Sequence, residues 1–199
     1  MTLVPWFLAS YLLGAIPTSY LTVRLVTGQD LRTLGSGNLG ATNLFRVLGW
    51  KFAVPVGLFD MLKGAVPVLV FAPWAAAPDV VAILLGATAV AGHVFSVFVG
   101  FWGGKGVATG AGVVLGLAPW AFVTAFAVWA AMVWATGYVS LGSMAGALVL
   151  PPAVYLLHPE RRPLVWLFGA LAALIIFLHR ANIRRLLEGT ENRFGRRAA

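Results

Sequence analysis

The chain has no cysteine in 199 residues, which excludes disulfides, thiolate metal ligands and a covalent thioester intermediate. Charge is scarce: Asp, Glu, Lys and Arg make up 10% of positions, against about 25% in soluble domains. Six acids and three widely spaced histidines supply no ligand pattern for a metal ion, and no metal or organic cofactor is expected. What fills the chain instead is apolar, with 60% of positions from the AVILMFWYC set and a mean hydropathy of +0.91. A globule of this length cannot bury that excess, so the expected solvent is a bilayer. Fourteen Lys and Arg against six acids give a net charge of +8, which on a membrane chain reads as cytoplasmic loops beside anionic lipid. Nucleic-acid binding would need a basic face on a soluble fold and is not expected.

Charges fall in clusters, and the apolar stretches between them define the expected spans: 3–23, 52–74, 80–101, 107–118, 120–137, 140–157 and 163–178. No basic segment precedes the first and no A-x-A site closes it, so it reads as a retained helix and not a signal peptide. The uncharged run 107–157 far exceeds the roughly 20 residues that cross a bilayer, and Pro119 and Tyr138–Ser143 divide it. The expectation is an all-α integral membrane protein, one polytopic domain over 1–199, with seven transmembrane helices. Arg24, Arg32, Arg46 and Lys51 follow the first span, and Arg180 to Arg197 follow the last. Such flanks stay cytoplasmic, which puts the N-terminus outside, the C-terminus inside, and makes the span number odd. Glu160, Arg161 and Arg162 then lie outside, against the same rule, and five spans stay open as the alternative. Trp6, Trp50, Trp74, Trp102, Trp120 and Trp134 lie near span ends, where amphipathic indoles favour the headgroups.

This topology gathers loops near 31–51, 102–106, 138–143 and 179–193 on one side. The first contains Gly35-Ser36-Gly37-Asn38-Leu39-Gly40-Ala41-Thr42-Asn43, followed by Arg46. Glycines let backbone N–H groups converge on an anion, while Ser36, Asn38, Thr42 and Asn43 add donors and Arg46 adds charge. A dinucleotide fold does not fit the G-x-G-x-x-G match, because no strand precedes it and Asp60 falls inside a span. A flexible linker is the bland alternative. The second loop reads Gly92-His93-Val-Phe95-Ser96, then Trp102-Gly103-Gly104-Lys105-Gly106-Val107-Ala108-Thr109. Gly103, Gly104 and Gly106 around one ammonium at a helix start form an expected anion site. It is not a Walker A loop, since Val99 and Gly106 replace its glycine and its hydroxyl residue.

Competing structural readings accompany these residues. Lys105 can be an interfacial anchor and His93 a hydrogen-bonded interior histidine. Asp60 and Lys63, three residues apart, share a helical face and can either form a buried ion pair or contact a substrate directly. Ser140 and Ser143 can bond across helices, and Gly112/Gly116 and Gly142/Gly146 are small-residue pairs at packing spacing. His179 and Arg180 can be interfacial anchors, but Asn182 beside them adds a neutral donor that anchoring does not need. The end from Glu191 to Ala199 reads as a solvated basic tail.

Taken in order, Gly-Ser-Gly-Asn-x-Gly-Ala-Thr-Asn with Arg46, Asp60-x-x-Lys63-Gly64, Gly-His-x-Phe with Gly-Gly-Lys-Gly-Val-Ala-Thr, Tyr138-x-Ser140-Leu-x-Ser143, and His179-Arg-x-Asn182-Ile-x-Arg185-Leu-Leu-x-Gly189-Thr-Glu191 resemble the bacterial acyl-phosphate:glycerol-3-phosphate acyltransferase (PlsY) family. The resemblance runs from about residue 10 to 193. It departs at Leu39 and Ser96, where proline is common, and at Trp102, where a basic residue is common.

The resemblance implies a multi-pass protein of the bacterial inner membrane, its active site facing the cytoplasm, that makes lysophosphatidic acid and phosphate from acyl phosphate and glycerol 3-phosphate. That is the first committed step of phospholipid synthesis. It places Ser36, Arg46, Lys105, Ser143, His179 and Asn182 at functional positions. The inventory agrees with such chemistry: an acyl phosphate carries a good leaving group, so transfer needs positioning and charge stabilisation more than a covalent nucleophile. No G-x-S-x-G elbow is present, and Phe98, Pro163 and Arg184 stand five residues after the three histidines, where the acyl-CoA-dependent enzymes carry Asp. Two anionic substrates need cationic cradles, for which Arg46, Lys105 and the Arg184/Arg185 pair are candidates. The base is a histidine (His93 or His179) or a phosphate oxygen of a substrate; the sequence does not choose. The competing function is a transporter for an anionic phosphorylated solute, against which stands the lack of a second copy of either glycine-rich loop.

Overall fold

With no water in hydrocarbon, a spanning chain must satisfy its backbone N–H and C=O groups internally, and an apolar chain whose loops are short does so as helices. A computed structural model describes residues 2–76 and 78–194, and among them every regular element is helical. The chain divides into two compact units, Met1–Leu117 and Ala118–Ala199.

In the first unit, the apolar stretch read at 3–23 is two helices, α1 (Val4–Ala15) and α2 (Thr18–Thr27), bent by 42°. Pro17 causes the break, since it has no N–H to donate back along the helix. Gly28, in the left-handed region at φ +74°, ends α2. A 3-10 turn (Leu31–Thr33) leads through the glycine-rich loop to α3 (Ala41–Leu48). Leu31 and Leu39 are buried in one apolar cluster with Val23, Leu44, Val56 and Val99, so the loop is seated on packed side chains. The long second stretch is α4 (Trp50–Val66), a π-helical turn (Pro67–Phe71) and α5 (Ala72–Trp74). The π turn absorbs the hydrogen bond that Pro67 cannot make. The third stretch is α-helical only over α6 (Asp79–Val94), after which 95–106 turns back to α7 (Val107–Leu117).

Glycines let these helices touch backbone to backbone. On α1 and α6, a Cβ at Gly14 would meet the Ala89 carbonyl and one at Gly92 the Tyr11 carbonyl; on α4 and α7, a Cβ at Gly64 would meet the Thr109 carbonyl and one at Gly112 the Met61 carbonyl. In both pairs one contact number rises as its partner falls, so the helices run antiparallel. Gly112 thus has the packing role read from its spacing, and Gly116 lies against Val68.

The second unit opens with α8 (Pro119–Thr136), stopped by Gly137 at φ +76°, and continues with α9 (Val139–Leu157). Gly142 fits against Trp129 and Val133 and Gly146 faces the Ala125 carbonyl, again the antiparallel small-residue packing expected. α10 (Pro163–Leu178) packs on α9 through buried Leu164, Phe168 and Val154. It bends by 56° into α11 (Arg180–Leu187).

Among the described residues, four helices are long and apolar enough to cross a membrane, or six if each bent pair is one span. At 1.5 Å per residue α7 is about 16 Å long, short of the roughly 30 Å of hydrocarbon. Trp50, Trp74, Trp102, Trp120 and Trp134 are exposed.

The glycine contacts generate a test. Gly64→Ala forces a methyl into a rigid carbonyl and is expected to destabilise by about 1–3 kcal/mol, whereas Gly169→Ala, with nothing within 4 Å, should stay within about 0.5 kcal/mol. Thermal unfolding of the detergent-purified protein checks both, and equal stabilities would refute the close α4–α7 approach.

Candidate active site

Expected site residues occur in both units. In the first unit the glycine-rich loop turns at Gly35 (φ +58°) and Gly37 (φ +70°), conformations that glycine adopts without strain. Asn43, 1% exposed, projects from α3 into the turn: its Nδ2 donates to the Leu34 carbonyl at 3.0 Å and its Oδ1 accepts from the Ser36 N–H at 2.8 Å. A Cβ at Gly35 would collide with that Oδ1. Asn43 and the Ser36 N–H, both expected among donors to an anion, are therefore engaged with each other, and Asn43 is the clamp that shapes the loop. Ser36, Gly37, Asn38, Gly40 and Thr42 stay half-buried, and Arg46 is exposed on α3. Asn43 N–H and Leu44 N–H bond to the Gly40 carbonyl, while the N–H groups of Ala41 and Thr42 open the helix, where no intrahelical carbonyl reaches them. Below the loop, Arg32 grips Asp30 at 2.6 Å and holds that carboxyl below its usual range.

The second loop differs from expectation in the same way. Gly103 N–H donates to the Val94 carbonyl at 2.9 Å and Gly104 N–H to the His93 carbonyl at 3.1 Å. These N–H groups face the loop's own backbone, and the two glycines are needed for closeness: a Cβ at Gly103 would meet the His93 carbonyl and one at Gly104 the His93 ring. Gly106, at φ +73°, starts α7 and sets Lys105, half-buried, between two glycines. The Ser96 hydroxyl donates to the Ala15 carbonyl, while Tyr11 OH donates to the Phe95 carbonyl at 2.7 Å. The loop is thereby tied to the end of α1. Leu39 lies in the apolar cluster, and Trp102 is exposed.

Between α4, α6 and the α1–α2 break lies a buried polar cluster. Lys63 (1% exposed) and Asp60 (2%) form an ion pair at 2.6 Å. Lys63 Nζ also donates to the Ile16 carbonyl at 2.8 Å and lies 3.4 Å from His93 Nδ1. Thr18 Oγ1 donates to Asp60 Oδ1 at 3.2 Å. Of the two readings, the contacts are those of the buried pair.

The second unit is organised around Glu191, 7% exposed. Its Oε1 accepts from Ser140 Oγ at 2.8 Å and Asn182 Nδ2 at 2.6 Å, and its Oε2 from Arg185 Nε at 2.7 Å. Burial pushes this carboxyl up, but the bonds from Asn182, Arg185 and Ser140 outweigh it and hold the group below its ordinary value. The segment behind it folds back onto the α8–α9 turn, with Phe194 N–H on the Gly137 carbonyl at 2.6 Å and Arg193 Nε on Tyr138 OH at 3.1 Å. Glu191 is thus buried and not part of the solvated tail expected, whereas 192–194 are exposed although tied down by these bonds; 195–199, with Arg196 and Arg197, lie outside the described residues. Arg185 is paired with Glu191, and Arg184, at the surface, with Glu188 at 3.3 Å. Ser143 Oγ donates within its own helix to the Val139 carbonyl at 2.8 Å, while His179 Nδ1 faces the Ile175 carbonyl at 2.7 Å. The role of Glu191 as a hydrogen-bond hub and the clamp role of Asn43 escaped sequence reasoning; the place of Glu191 at the end of the last motif was the available signal for the first. Among the described residues no three metal-ligating side chains gather.

A sequence profile described as glycerol-3-phosphate acyltransferase matches residues 4–189. The chain belongs to the glycerol-3-phosphate acyltransferase family. Relatives bearing that name include one from Geobacter sulfurreducens, 47% identical over 93% of this chain and 94% of its own, and one from Chlorobaculum parvum, 42% identical over the full length of both. Two crystal structures of PlsY, an integral membrane glycerol 3-phosphate acyltransferase, are similar in fold. The glycerol 3-phosphate form matches with a TM-score of 0.89 and 38% identity, over 96% of this chain and 95% of that one; the lysophosphatidic acid form matches at 0.84 and 37% over the same shares. Family membership and the apolar helices together make this a membrane protein.

The Glu191 network generates a pH test. A carboxyl with a lowered folded pKa contributes stability that is complete above its ordinary value of 4.5 and is lost as pH falls through the folded value. Glu191→Gln is expected to lose on the order of 2 kcal/mol at neutral pH and to unfold with a flatter dependence on pH below the ordinary value. Melting curves from about pH 3 to 7 check this; parent and variant running parallel would contradict it.

Proposed function

We propose that this member of the family transfers the acyl group of an acyl phosphate to glycerol 3-phosphate, forming lysophosphatidic acid and inorganic phosphate. The observation that carries the proposal is the joining of family membership to two backbone-locked glycine loops that present Ser36, Arg46 and Lys105 at rigid positions. The glycerol hydroxyl oxygen attacks the acyl carbon, a C–O ester bond forms, the bond from the acyl carbon to the phosphate oxygen breaks, and phosphate leaves with the electron pair. A charged, good leaving group needs fixed cations and donors more than a covalent nucleophile. Lys105 and Arg46 supply charge; Ser36, Asn38 and Thr42, with the backbone of Gly35, Gly37, Gly40 and Gly106, line the approach. Ser143, His179 and Asn182 are the substrate-binding residues proposed in the second unit.

The hydroxyl proton passes to a histidine or to a phosphate oxygen. His179, whose Nδ1 faces the Ile175 carbonyl at 2.7 Å, is the proposed histidine. The proposed setting is the cytoplasmic membrane, with seven spans in one polytopic domain, the N-terminus outside and the loops facing the cytoplasm. What supports it is the Lys/Arg excess after the first and last spans.

The test supplies the purified enzyme with glycerol 3-phosphate and either acyl phosphate or acyl-CoA, with chelator present. Lysophosphatidic acid should form from acyl phosphate alone, with equimolar phosphate. A comparable rate from acyl-CoA, or no activity under the chelator, would overturn the reading.

A further inference from the structure

His93 is held on three sides. Lys63 Nζ approaches its Nδ1 at 3.4 Å. An ammonium has three protons to donate and no lone pair, and this one also serves the Ile16 carbonyl at 2.8 Å and Asp60 at 2.6 Å. Nδ1 is therefore the acceptor, and the proton of the neutral ring sits on Nε2. That edge faces the second glycine loop, where Nε2 is the first atom a Cβ at Gly104 would meet, followed by Cδ2 and Cε1. The backbone of the same residue holds the loop as well, through the His93 carbonyl and the Gly104 N–H at 3.1 Å. Residue 104 is thus fixed from the ring and from the main chain, one residue before Lys105.

The geometry points to His93 as a positioning residue for Lys105, its ring oriented by the buried Lys63–Asp60 pair, and not as the base that removes the substrate's proton. The lone pair a base would use is already engaged by an ammonium. The path of influence is Asp60 to Lys63 to His93 to Gly104 to Lys105, across α4, α6 and the loop that opens α7. Positioning of this kind is worth much in a site that works by fixed charge, because a small misplacement of the charge costs turnover. The inference rests on the proposal that Lys105 meets a substrate phosphate.

The test compares His93→Asn, Gly104→Ala, the double variant and Lys105→Ala in the acyl phosphate assay. Asn keeps an acceptor near Nδ1, removes the outer edge of the ring and cannot act as a base. His93→Asn should keep kcat within about tenfold, raise KM for at least one phosphate-bearing substrate several-fold, and leave the shape of the kcat–pH profile unchanged. A base would instead lose about 10²- to 10⁴-fold in kcat, with the acid limb of the profile abolished, and that result would overturn the inference. Gly104→Ala, which drives a methyl into the ring, should lower kcat/KM by at least about tenfold. Adding His93→Asn should restore most of that loss, because the obstructing edge is gone; a double variant no better than Gly104→Ala would also overturn it. Lys105→Ala separates the two claims. Near-parental activity in that variant removes the premise about Lys105, whereas failed rescue beside an inactive Lys105→Ala refutes only the positioning role. Folding is read from thermal unfolding and monodispersity, with His93→Gln as second variant. If neither variant folds, the ring is a packing pillar and the inference fails.

Discussion

An ammonium buried among apolar helices must find three acceptors or forfeit its charge, and Lys63 finds them on three different elements. Removing an ion from water costs several kcal/mol even after relaxation, so the helices that meet at Lys63 have little freedom to slide. Asp60 supplies the counter-charge from the same helix face, and His93 a ring nitrogen from α6. The third acceptor lies at the break between α1 and α2: the Ile16 carbonyl, turned out of the helical ladder, accepts from Thr18 N–H at 3.0 Å and also from Lys63. A helix break that would be costly in lipid and a charge that would be costly in lipid thus satisfy each other. The glycine contacts of α1 with α6 and of α4 with α7 then bring the backbones close enough for those bonds to form.

This arrangement constrains the chemistry. Several backbone donors that a glycine-rich loop offers in principle are engaged internally: Ser36 N–H by Asn43, and Gly103 and Gly104 N–H by the end of α6. On the proposed reading, anion recognition then falls to side chains and to the first turns of α3 and α7. Preorganisation of that sort suits a reaction that proceeds by holding two phosphate-bearing molecules and stabilising a departing anion. In the second unit Glu191 does the corresponding work, drawing Ser140, Asn182 and Arg185 onto one carboxylate and ordering the segment that follows α11.

Much of this was legible in local pattern. The three-residue spacing of Asp60 and Lys63 implied a pair on one helical face, and Gly112/Gly116 and Gly142/Gly146 implied close packing, because both depend on helical periodicity alone. What lay beyond reach depended on distant partners. The roles of Gly14, Gly64, Gly92 and Gly103 follow from a carbonyl on another element, which no spacing encodes. Asn43 reads as one more polar residue beside a loop until its amide is seen clamping that loop, and Glu191 reads as part of a basic tail until the fold returns it to the α8–α9 turn. The first apolar stretch is long enough for one span, but Pro17 carried the signal that it would be two helices.

The account stands most directly on the dependence of the first unit on the Asp60–Lys63 pair. Thermal unfolding of Lys63→Met, Asp60→Asn and the double variant, each purified in detergent, measures it as a coupling energy. Each single variant should lose about 3–5 kcal/mol, because it leaves one buried group without its partner. The double variant should lose far less than the sum, with a coupling of at least about 2 kcal/mol. Additive losses, or single variants as stable as the parent, would mean that the pair is incidental to the packing and would contradict the account.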